Sequence, residues 1–344
     1  MPLTIEKSKD LSSCNTLRLS AQAQYFCEVE SIDDWREALV WAKASGLAVT
    51  ILGGGSNVVL APRILGLVVH PSNSDLSFQH EDSNYVSVKV GAGCDWDGFV
   101  RSSIDRGWFG LENLVSIPGS CGAAPVQNIG AYGVDVAAWV KTISCIDMHT
   151  GEVFERNADD CDFGYRSSRF KTEDAGRVGI IAVTFKLRRT PKVNLSYAAL
   201  CDAMDAAGLE PTPINVLRQV EAIRAQKLPN PSVSPNAGSF FKNPVLSVSE
   251  LSALQQLLPR VPVYPVEGGS VKVSAAYLIE QAGLKGFSED GFAMSEQHAL
   301  VLINWGASSG EACLRFANRV AERVCDRFKV VLEREPLALG AFGS

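Results

Sequence analysis

A stretch of small residues at positions 116–133 constrains this chain more than any other feature. It reads SIPGSCGAAPVQNIGAYG and holds four glycines and three alanines in eighteen residues. So many small side chains let another body approach the backbone closely, either a packed element or a flat ligand. A purely structural loop of this length is uncommon in a compact domain. The sequence therefore predicts close backbone contact along residues 116–133.

A second glycine-rich segment, Gly53-Gly54-Gly55-Ser56-Asn57, follows a predicted buried strand at residues 47–52. Its glycines allow positive φ angles, so successive backbone N–H groups can converge on an anion. No Gly-Lys-Ser/Thr follows, and VVLAP at 58–62 cannot open a helix, so neither a P-loop nor a Rossmann motif is present. Taken alone, the segment is as consistent with a tight turn as with a phosphate site. Together the two loops are consistent with one long cofactor.

Composition limits the remaining possibilities. The 344 residues predict two domains or three small ones, and the 46% hydrophobic content is enough for a sizeable core. A net charge of −6 argues against nucleic-acid binding. Nine cysteines without a C-x-x-C pair argue against metal fingers and disulfide frameworks, and indicate a reducing cytoplasm. The four histidines lie far apart in sequence, so we expect no metal site. We also expect neither a secretory signal nor a membrane span, because no apolar run approaches the ~20 residues that a bilayer requires.

Helical and strand patterns alternate irregularly along the chain. Ser31 and Ser274 are predicted helix N-caps, and a hairpin is predicted at Thr150-Gly151. A last strand is predicted over Val330–Leu332, just before two glutamates. Because regular βαβ repetition is missing, the predicted class is α+β and not a doubly wound sheet.

The motifs in combination resemble a known family. GGGSN and IPGSCGAAPVQNIGAYG are similar to the flavin-binding half of UDP-N-acetylenolpyruvoylglucosamine reductases, the MurB-type enzymes of peptidoglycan synthesis. The resemblance continues in order through FGYRSSRFK, IRAQKLPNP, NAGSFFKNP, QHALVLIN and LEREP, and so spans nearly the whole chain. Tyr197 in its LSY context resembles the longer subtype of the family, which has an additional substrate-covering loop.

The resemblance implies a fold and a domain plan. The fold is a vanillyl-alcohol-oxidase-like (PCMH-type) FAD-binding domain in two lobes plus a smaller α+β substrate-binding domain. The FAD domain would cover residues 1–189, with lobes at about 1–70 and 71–189. A connecting segment with the substrate loop and a helix would cover 190–229, and the substrate domain 230–344.

The resemblance also implies the activity. FAD, bound non-covalently, would be the cofactor and NADPH the co-substrate, which leaves before the second substrate binds. The enolpyruvyl group of UDP-N-acetylglucosamine enolpyruvate would be reduced to give UDP-N-acetylmuramate. The nucleotide sugar would be its small-molecule partner. From the residues themselves we expect a cytoplasmic protein, a monomer because conspicuous apolar runs are absent, and neither nucleic-acid nor membrane partners.

Carried over by position, the catalytic residues are Arg166, Ser239 and Glu335. The α-carbon of the substrate needs a proton, which Ser239 would supply, and the negative charge that develops there needs a cation such as Arg166. Glu335 would position the reacting centre or feed protons, and Glu333 is the alternative for this role. Taken singly, a surface ion pair, a turn residue and a solvated tail charge are the ordinary interpretations of the three.

The resemblance implies two sets of binding residues. The cofactor set is Gly53, Gly54, Gly55, Ser56, Asn57, Ser116, Ile117, Pro118, Gly119, Gly122, Ala123, Gln127, Asn128, Ile129, Gly130, Ala131, Tyr132 and Gly133. The substrate set is Tyr197, Arg224, Lys227, Lys242, Asn243 and His298. Arg224 and Lys227 are one helical turn apart and share a face, although a solvated basic helix end has the same spacing.

Some positions depart from the family pattern. Ser167 stands where an acid often follows the arginine, Ala198 follows the loop tyrosine where glycine is usual, and His298 stands where relatives have Gln or His. The residues after Glu335 also lack a basic side chain that is common there.

Two other functions are compatible with the same fold. A flavin-dependent alcohol or sugar oxidase would often attach FAD covalently, and Cys121 is the one candidate thiol in the two loops. A nucleotide-sugar-binding protein without redox activity would have lost the catalytic residues, yet all three candidates are present.

Overall fold

The computed structural model describes residues 3–266, 269–307 and 309–342. The chain divides into two compact units. Unit 1 comprises Met1–Lys9, Ala23–Gly55 and Leu65–Arg224, and unit 2 comprises Asp10–Gln22, Ser56–Ile64 and Ala225–Ser344. The division into functional domains at residues 189 and 229 stays a prediction. The two compact units have other bounds.

The strands are numbered in chain order. They are β1 (Glu6–Asp10), β2 (Gln22–Val29), β3 (Val49–Ile51), β4 (Val58–Leu60), β5 (Arg63–Pro71), β6 (Leu76–His80), β7 (Tyr85–Gly91), β8 (Gly130–Ala131), β9 (Val134–Asp135), β10 (Val140–Asp147), β11 (Val153–Asn157), β12 (Val178–Arg188), β13 (Asn236–Ser239), β14 (Val245–Leu246), β15 (Val263–Pro265), β16 (Val271–Val273), β17 (Ser288–Glu289), β18 (Phe292–Met294), β19 (Val301–Asn304) and β20 (Leu337–Leu339).

Five of the seven α-helices in the described residues begin after a serine or aspartate whose side chain accepts a hydrogen bond from the first turn. They are α1 (Ile32–Ala44), α2 (Trp96–Asp105), α3 (Ala198–Ala206), α4 (Pro213–Lys227), α5 (Val248–Leu257), α6 (Ala275–Gln281) and α7 (Gly310–Phe328). Ser31 accepts a hydrogen bond from the Asp34 N–H and forms a capping box with Asp34, as the sequence predicts. Ser274 caps α6 in the predicted position by accepting from the Tyr277 N–H.

Unit 1 is built on two sheets. One has the strand order β1-β2-β5-β3, and the other has the order β11-β10-β12-β7-β6 and is antiparallel throughout. β10 and β11 form the hairpin predicted at Thr150-Gly151. Helix α1 packs Trp35 into a core on the first sheet, while Trp96, Phe99 and Phe185 anchor the larger core on the second. Both sheets bury one face against helices, as an α+β arrangement requires.

Unit 2 contains the sheet β13-β19-β18-β17, the small sheet β14-β16-β15 and the pair β20-β4. The amphipathic helix α7 packs Phe316, Val320 and Val324 into its core. β4 immediately follows the GGGSN segment, which confirms that no helix opens there.

The predicted strand at Val330–Leu332 is wrong. These residues form no strand. Pairing begins at Arg334, which forms an isolated antiparallel bridge with Phe241, and continues in β20, which runs parallel to β4 with Leu337 opposite Val58. Val330 and Leu332 are buried and Val331 is 71% exposed, so the side chains alternate as in a half-buried strand although the run belongs to no sheet. β20 pairs with residues 58–60, far away in sequence. Such long-range pairing, and not the local β propensity of residues 330–332, decides which segment forms the strand.

In the part of the chain that the structure describes, every helix is too short or too polar to cross a membrane.

Candidate functional site

The two glycine-rich loops meet within unit 1. A Cβ placed on Gly53 would lie 2.9 Å from the Ser120 hydroxyl and 3.4 Å from the Ala123 Cβ. A Cβ placed on Gly54 would lie 2.9 Å from the Gly119 Cα. Glycine is therefore required at position 54, where the backbone of the second loop occupies the space of a side chain, while at position 53 that space is bounded by side chains of the same loop. The close backbone contact predicted from the small residues is therefore present: the two glycine-rich loops pack against each other.

The second loop adopts unusual backbone angles. Ser116, Asn128 and Tyr132 have φ angles of 60°, 49° and 49°, which non-glycine residues rarely adopt. The Asn128 side chain holds this conformation, because its Nδ2 donates to the Gly164 carbonyl at 3.0 Å and its Oδ1 accepts from the Ala137 N–H at 3.1 Å. Such strain persists only where the surroundings fix it, and it is concentrated at ligand sites.

A half-buried cation lies at the start of this loop. Arg224, near the end of α4, donates from Nη2 to the Ser116 carbonyl at 3.1 Å. Burial lowers the pKa of its guanidinium, while Tyr132 and Asp97 act in the opposite direction. The Asp97 carboxylate also accepts from the Ser116 N–H at 2.6 Å. The Ser116 backbone is thereby held by Arg224 at its carbonyl and by Asp97 at its N–H.

Arg166 is directed onto the second loop. Its backbone φ is 53°, within a tight turn in which Gly164 and Ser167 exchange hydrogen bonds. The guanidinium donates to the carbonyls of Asn128 and Gly130, and it lies 3.6 Å from the Asp135 carboxylate. Arg166 therefore has an acidic partner in Asp135, although Ser167 stands at the position where relatives often have an acid.

Tyr197 reaches the same loop. Its ring packs edge-on against Tyr132 with centroids 5.3 Å apart, and the side chain is 38% exposed. A Cβ on Gly133 would lie 2.6 Å from the Ser196 hydroxyl, so the tyrosine segment packs closely on the end of the loop. Burial raises the pKa of Tyr132 and keeps its hydroxyl protonated.

Ser239 lies in unit 2 at the end of β13, opposite Val301 of β19. The preceding Gly238 has a φ of 70°, and its N–H is held by the Asn236 side chain at 2.8 Å. The next residue, Phe240, is fully buried, and its N–H donates to the Leu300 carbonyl at 2.8 Å. These contacts fix the backbone on both sides of a half-buried serine.

The two glutamates near the C-terminus have different surroundings in unit 2. Glu335 is half-buried, and its N–H donates to the Phe240 carbonyl at 2.9 Å, one residue from Ser239. Glu333 is exposed and forms a 2.7 Å ion pair with Lys242. The two candidates for one role therefore differ in burial and in neighbours.

His298 and Asn243 have structural contacts in the same unit. The His298 Nδ1 accepts from the Leu300 N–H at 3.3 Å, which requires that nitrogen to be unprotonated. Burial, followed by the nearby Lys227 and Lys285, lowers the pKa of His298, so the ring is neutral at neutral pH. Asn243 caps α6 by accepting from the Ala275 N–H at 2.9 Å.

The structure thus distributes the predicted site residues over both units. Unit 1 brings together Gly53, Gly54, the loop at 116–133, Arg166, Tyr197 and Arg224. Unit 2 holds Ser56 and Asn57, and also Lys227, Ser239, Lys242, Asn243, His298 and Glu335. Sequence reasoning missed Asp135, because thirty-one positions separate it from Arg166 and no spacing rule links the two.

The two loops have the chemistry that a flavin dinucleotide needs. Neither GGGSN nor residues 116–133 contain an acidic side chain, while both contain hydroxyl and amide donors beside bare glycine backbone. Such donors suit a diphosphate, which an acid would repel. Among the described residues no cluster of three or more His, Cys, Asp or Glu side chains could hold a metal ion.

Comparisons with known proteins agree with this chemistry. Residues 23–156 match the model of an FAD binding domain, which confirms the prediction of FAD as the cofactor. Residues 230–339 match the model of the UDP-N-acetylenolpyruvoylglucosamine reductase C-terminal domain. The crystal structure of UDP-N-acetylenolpyruvylglucosamine reductase from Thermus caldophilus superposes with a TM-score of 0.66 at 21% identity, covering 98% of this chain and 99% of that one. The predicted fold class is therefore confirmed.

Relatives of known name match over almost their full length. UDP-N-acetylenolpyruvoylglucosamine reductase from Pseudomonas syringae pv. syringae is 41% identical over 337 residues, which cover 98% of this chain and 99% of the relative. The enzyme of the same name from Chromobacterium violaceum is 40% identical over 341 residues, covering 98% of this chain and all of the relative. Such identity over whole chains shows that this protein belongs to the UDP-N-acetylenolpyruvoylglucosamine reductase (MurB) family.

Proposed function

We propose that this chain catalyses the NADPH-dependent reduction of the enolpyruvyl group of UDP-N-acetylglucosamine enolpyruvate, which yields UDP-N-acetylmuramate for peptidoglycan synthesis. The observation that carries the proposal is the 41% identity to a reductase of this name over 98% of the chain. All three candidate catalytic residues are present in their motifs. FAD, when bound, supplies the hydride that is transferred from N5 to the β-carbon of the substrate.

The cofactor would be held by the two glycine-rich loops. Gly53, Gly54, Gly55, Ser56 and Asn57 would bind its phosphates, and the loop at 116–133 would form the wall beside its rings. The packing of Gly54 on Gly119 supports this assignment because both loops contribute bare backbone at one place in unit 1. Successive backbone N–H groups in glycine-rich turns can bind diphosphate oxygens.

Arg166 would stabilise the negative charge that develops at the α-carbon and carboxylate of the substrate. Its guanidinium is already oriented by the Asn128 and Gly130 carbonyls and by Asp135, so little reorganisation is needed when charge appears. Preorganised charge of this kind is usually the largest contribution to lowering a barrier. A guanidinium can also hold the carboxylate through two parallel hydrogen bonds.

Ser239 would donate the proton to the α-carbon. The hydrogen bonds of the Gly238 and Phe240 N–H groups hold the backbone on both sides of the serine, which supports a positioned proton donor. A serine is a weak acid in water, but transfer to a carbanion-like centre is strongly downhill.

Glu335, rather than Glu333, would act with Ser239. The backbone bond from Glu335 to the Phe240 carbonyl supports this choice, since it places the glutamate next to the strand end that carries the serine. Glu333 is paired with Lys242 and largely exposed, which favours a surface role.

The remaining cations and donors would bind the substrate. Arg224 and Lys227 lie one turn apart on α4 and would contact diphosphate, together with the positive and polar groups of Lys242 and Asn243. Tyr197 would cover the nucleotide sugar, as expected for the longer subtype of the family. His298, neutral at neutral pH, would act as a hydrogen-bonding residue.

We further propose that the enzyme works in the cytoplasm as a monomer, with the nucleotide sugar as its small-molecule partner and no nucleic-acid or membrane partner. The substrate class is that of the named relatives. Size-exclusion chromatography with light scattering would test the monomer, and a dimer mass would contradict it.

Replacing Ser239 by alanine tests the proposed mechanism. In anaerobic Ser239→Ala protein, NADPH should still bleach the visible absorption of the flavin at its normal rate. Recovery of the absorption on adding UDP-N-acetylglucosamine enolpyruvate should slow by about 10²–10⁴-fold, the usual contribution of a proton donor. Ser252→Ala, on the exposed side of α5, is the control and should leave both rates unchanged. Equal impairment of both half-reactions would exclude Ser239 as the proton donor.

A further inference from the structure

Two cysteines face each other across a short antiparallel contact in unit 1. Asp95 and Ser120 form an isolated antiparallel bridge. The Cys121 N–H donates to the Cys94 carbonyl at 2.8 Å, and the Trp96 N–H donates to the Gly119 carbonyl at 3.0 Å. In an antiparallel pair this pattern places Cys94 directly opposite Cys121.

The two thiols differ in burial and in acidity. Both are free, Cys121 is fully buried, and Cys94 is half-buried. The neighbouring Cys121 thiol lowers the pKa of Cys94, while burial acts in the opposite direction. Burial above all, and then the neighbouring Cys94, raises the pKa of Cys121. Such asymmetry is typical of a reactive thiol beside a resolving thiol.

We propose that Cys94 and Cys121 form a redox-responsive pair that hydrogen peroxide converts to a disulfide and a thiol reductant restores. The Cys94 thiolate attacks peroxide, the O–O bond breaks, and Cys94 becomes a sulfenic acid as hydroxide leaves and takes up a proton. The Cys121 sulfur then attacks the sulfenic sulfur, and the S–O bond breaks with loss of a second water. In total two thiols lose two electrons and two protons to one peroxide.

The backbone geometry accommodates the new bond. Directly opposite residues in an antiparallel pair have Cα atoms about 4.5–5.5 Å apart, within the range of about 4.4–6.8 Å found for disulfides. Side chains of directly opposite residues lie on the same face of the pair, so the two sulfurs point to the same side of the backbone contact. Closing them to a covalent bond of about 2.05 Å moves the loop by a small distance toward residues 92–95.

This movement would alter the cofactor loop. Cys121 lies between Ser120, which contacts Gly53, and Gly122, whose Cβ position lies 2.5 Å from the Ala92 Cβ. Residues 119–120 and 122 pack closely on Gly53, Gly54 and Ala92, so displacing Cys121 would displace the segment against which Gly53 and Gly54 pack. Provided that FAD lies against residues 116–133, as proposed above, the disulfide should lower FAD affinity severalfold, because a preorganised site tolerates little displacement.

Peptide mapping after peroxide treatment tests the pair. The full-length FAD-loaded protein is exposed to peroxide, its free thiols are alkylated, and non-reduced peptides are analysed by mass spectrometry. We expect a linked peptide pair containing Cys94 and Cys121, lighter by two hydrogens and absent after dithiothreitol. Cys94→Ser should abolish the link. Cys201→Ser, which removes another half-buried thiol, should leave it intact.

A second variant identifies the attacking sulfur. In Cys121→Ser protein, Cys94 should accumulate as a sulfenic acid that dimedone traps, whereas Cys94→Ser protein should give no trapped Cys121. Oxidation of wild-type Cys94 to a sulfinic acid without a disulfide, or its linkage to another cysteine, would overturn the proposal.

Fluorescence of released FAD separates this inference from the proposed function. Peroxide should weaken FAD binding severalfold in wild-type protein and not in Cys94→Ser, and dithiothreitol should reverse the effect. A disulfide that forms without any change in FAD affinity would leave the modification site standing and contradict the placement of FAD against residues 116–133.

Discussion

At the scale of single residues, orientation is imposed on the candidate site by the backbone. Arg166 has a left-handed φ of 53° because the Gly164–Ser167 turn requires it. Its guanidinium is then held by two carbonyls and by one carboxylate, that of Asp135. Position 167 holds a serine, and the carboxylate that pairs with Arg166 comes from Asp135, thirty-one positions earlier in the same unit.

Asp135 should act as a positioning residue for Arg166. Asp135→Asn should lower the rate of the substrate half-reaction by less than about fivefold, since a partly exposed ion pair contributes only up to about 1 kcal/mol. Asp135→Glu should restore the rate, and flavin reduction by NADPH should be unaffected. The measurement is stopped-flow absorbance at low and high salt. An unchanged rate in Asp135→Asn would show that Arg166 needs no acidic partner.

A buried acid near the cofactor loop should make stability depend on pH. Glu112 is 1% exposed and accepts from the Gly110 N–H at 2.6 Å. Burial raises its pKa above the ordinary value of 4.5. Its protonated form therefore stabilises the fold fully below pH 4.5, and this contribution is lost as the pH rises through the folded pKa.

Glu112→Gln should therefore raise the Tm relative to wild type at pH 8, and the difference should shrink toward pH 4. Thermal unfolding across this range checks the sign. The exposed Glu155→Gln is the matched control and should show little change at either pH. A Glu112→Gln protein less stable than wild type at pH 8 would mean that the ionised carboxylate is favourable in place.

At the scale of elements, helix starts are encoded locally. The capping box of α1 uses Ser31 and Asp34, which are three positions apart, so it could be predicted from sequence. Ser274 at α6 is a second case. Such signals involve neighbouring residues only and are independent of tertiary contacts.

Removing the α1 cap should cost about 1 kcal/mol of unfolding free energy. Ser31→Ala leaves the Asp34 N–H without its side-chain acceptor, and the first turn should fray. Ser45→Ala, exposed at the other end of the same helix, should change the free energy by less than half as much. Urea unfolding followed by circular dichroism measures both. Equal effects of the two substitutions would contradict the assignment of the cap.

The C-terminal strand shows where local prediction fails. The apolar run Val330–Leu332 has strand composition, but the pairing follows it: Arg334 forms an antiparallel bridge with Phe241, and Leu337–Leu339 runs parallel to β4. The Leu337 N–H donates to the Asn57 carbonyl at 3.1 Å, across 280 positions of sequence. Strand propensity depends on the partner and the burial that tertiary structure supplies, so the local pattern selected the wrong segment.

At the scale of the whole molecule, FAD should be part of the stability of the fold. At a free concentration about a hundredfold above its dissociation constant, a ligand that binds only the native state adds about 2.7 kcal/mol. Differential scanning calorimetry of cofactor-free protein should therefore show a higher Tm after adding FAD. Riboflavin, which lacks the phosphates and the adenosine, should raise the Tm much less. Equal shifts by the two would contradict phosphate binding by Gly53, Gly54 and Gly55.

The sequence by itself determined the fold class, the cofactor and the family, because glycine-rich loops, helix caps and motif order are local or linear features of the chain. Only the tertiary structure decided what surrounds these features. It brought Gly53 and Gly54 against residues 119–120, Asp135 to Arg166, and Cys94 to Cys121. The physical reason is that these contacts form when apolar segments far apart in sequence are buried together and bring their polar neighbours into contact. Residue spacing along the chain does not predict which segments pack together.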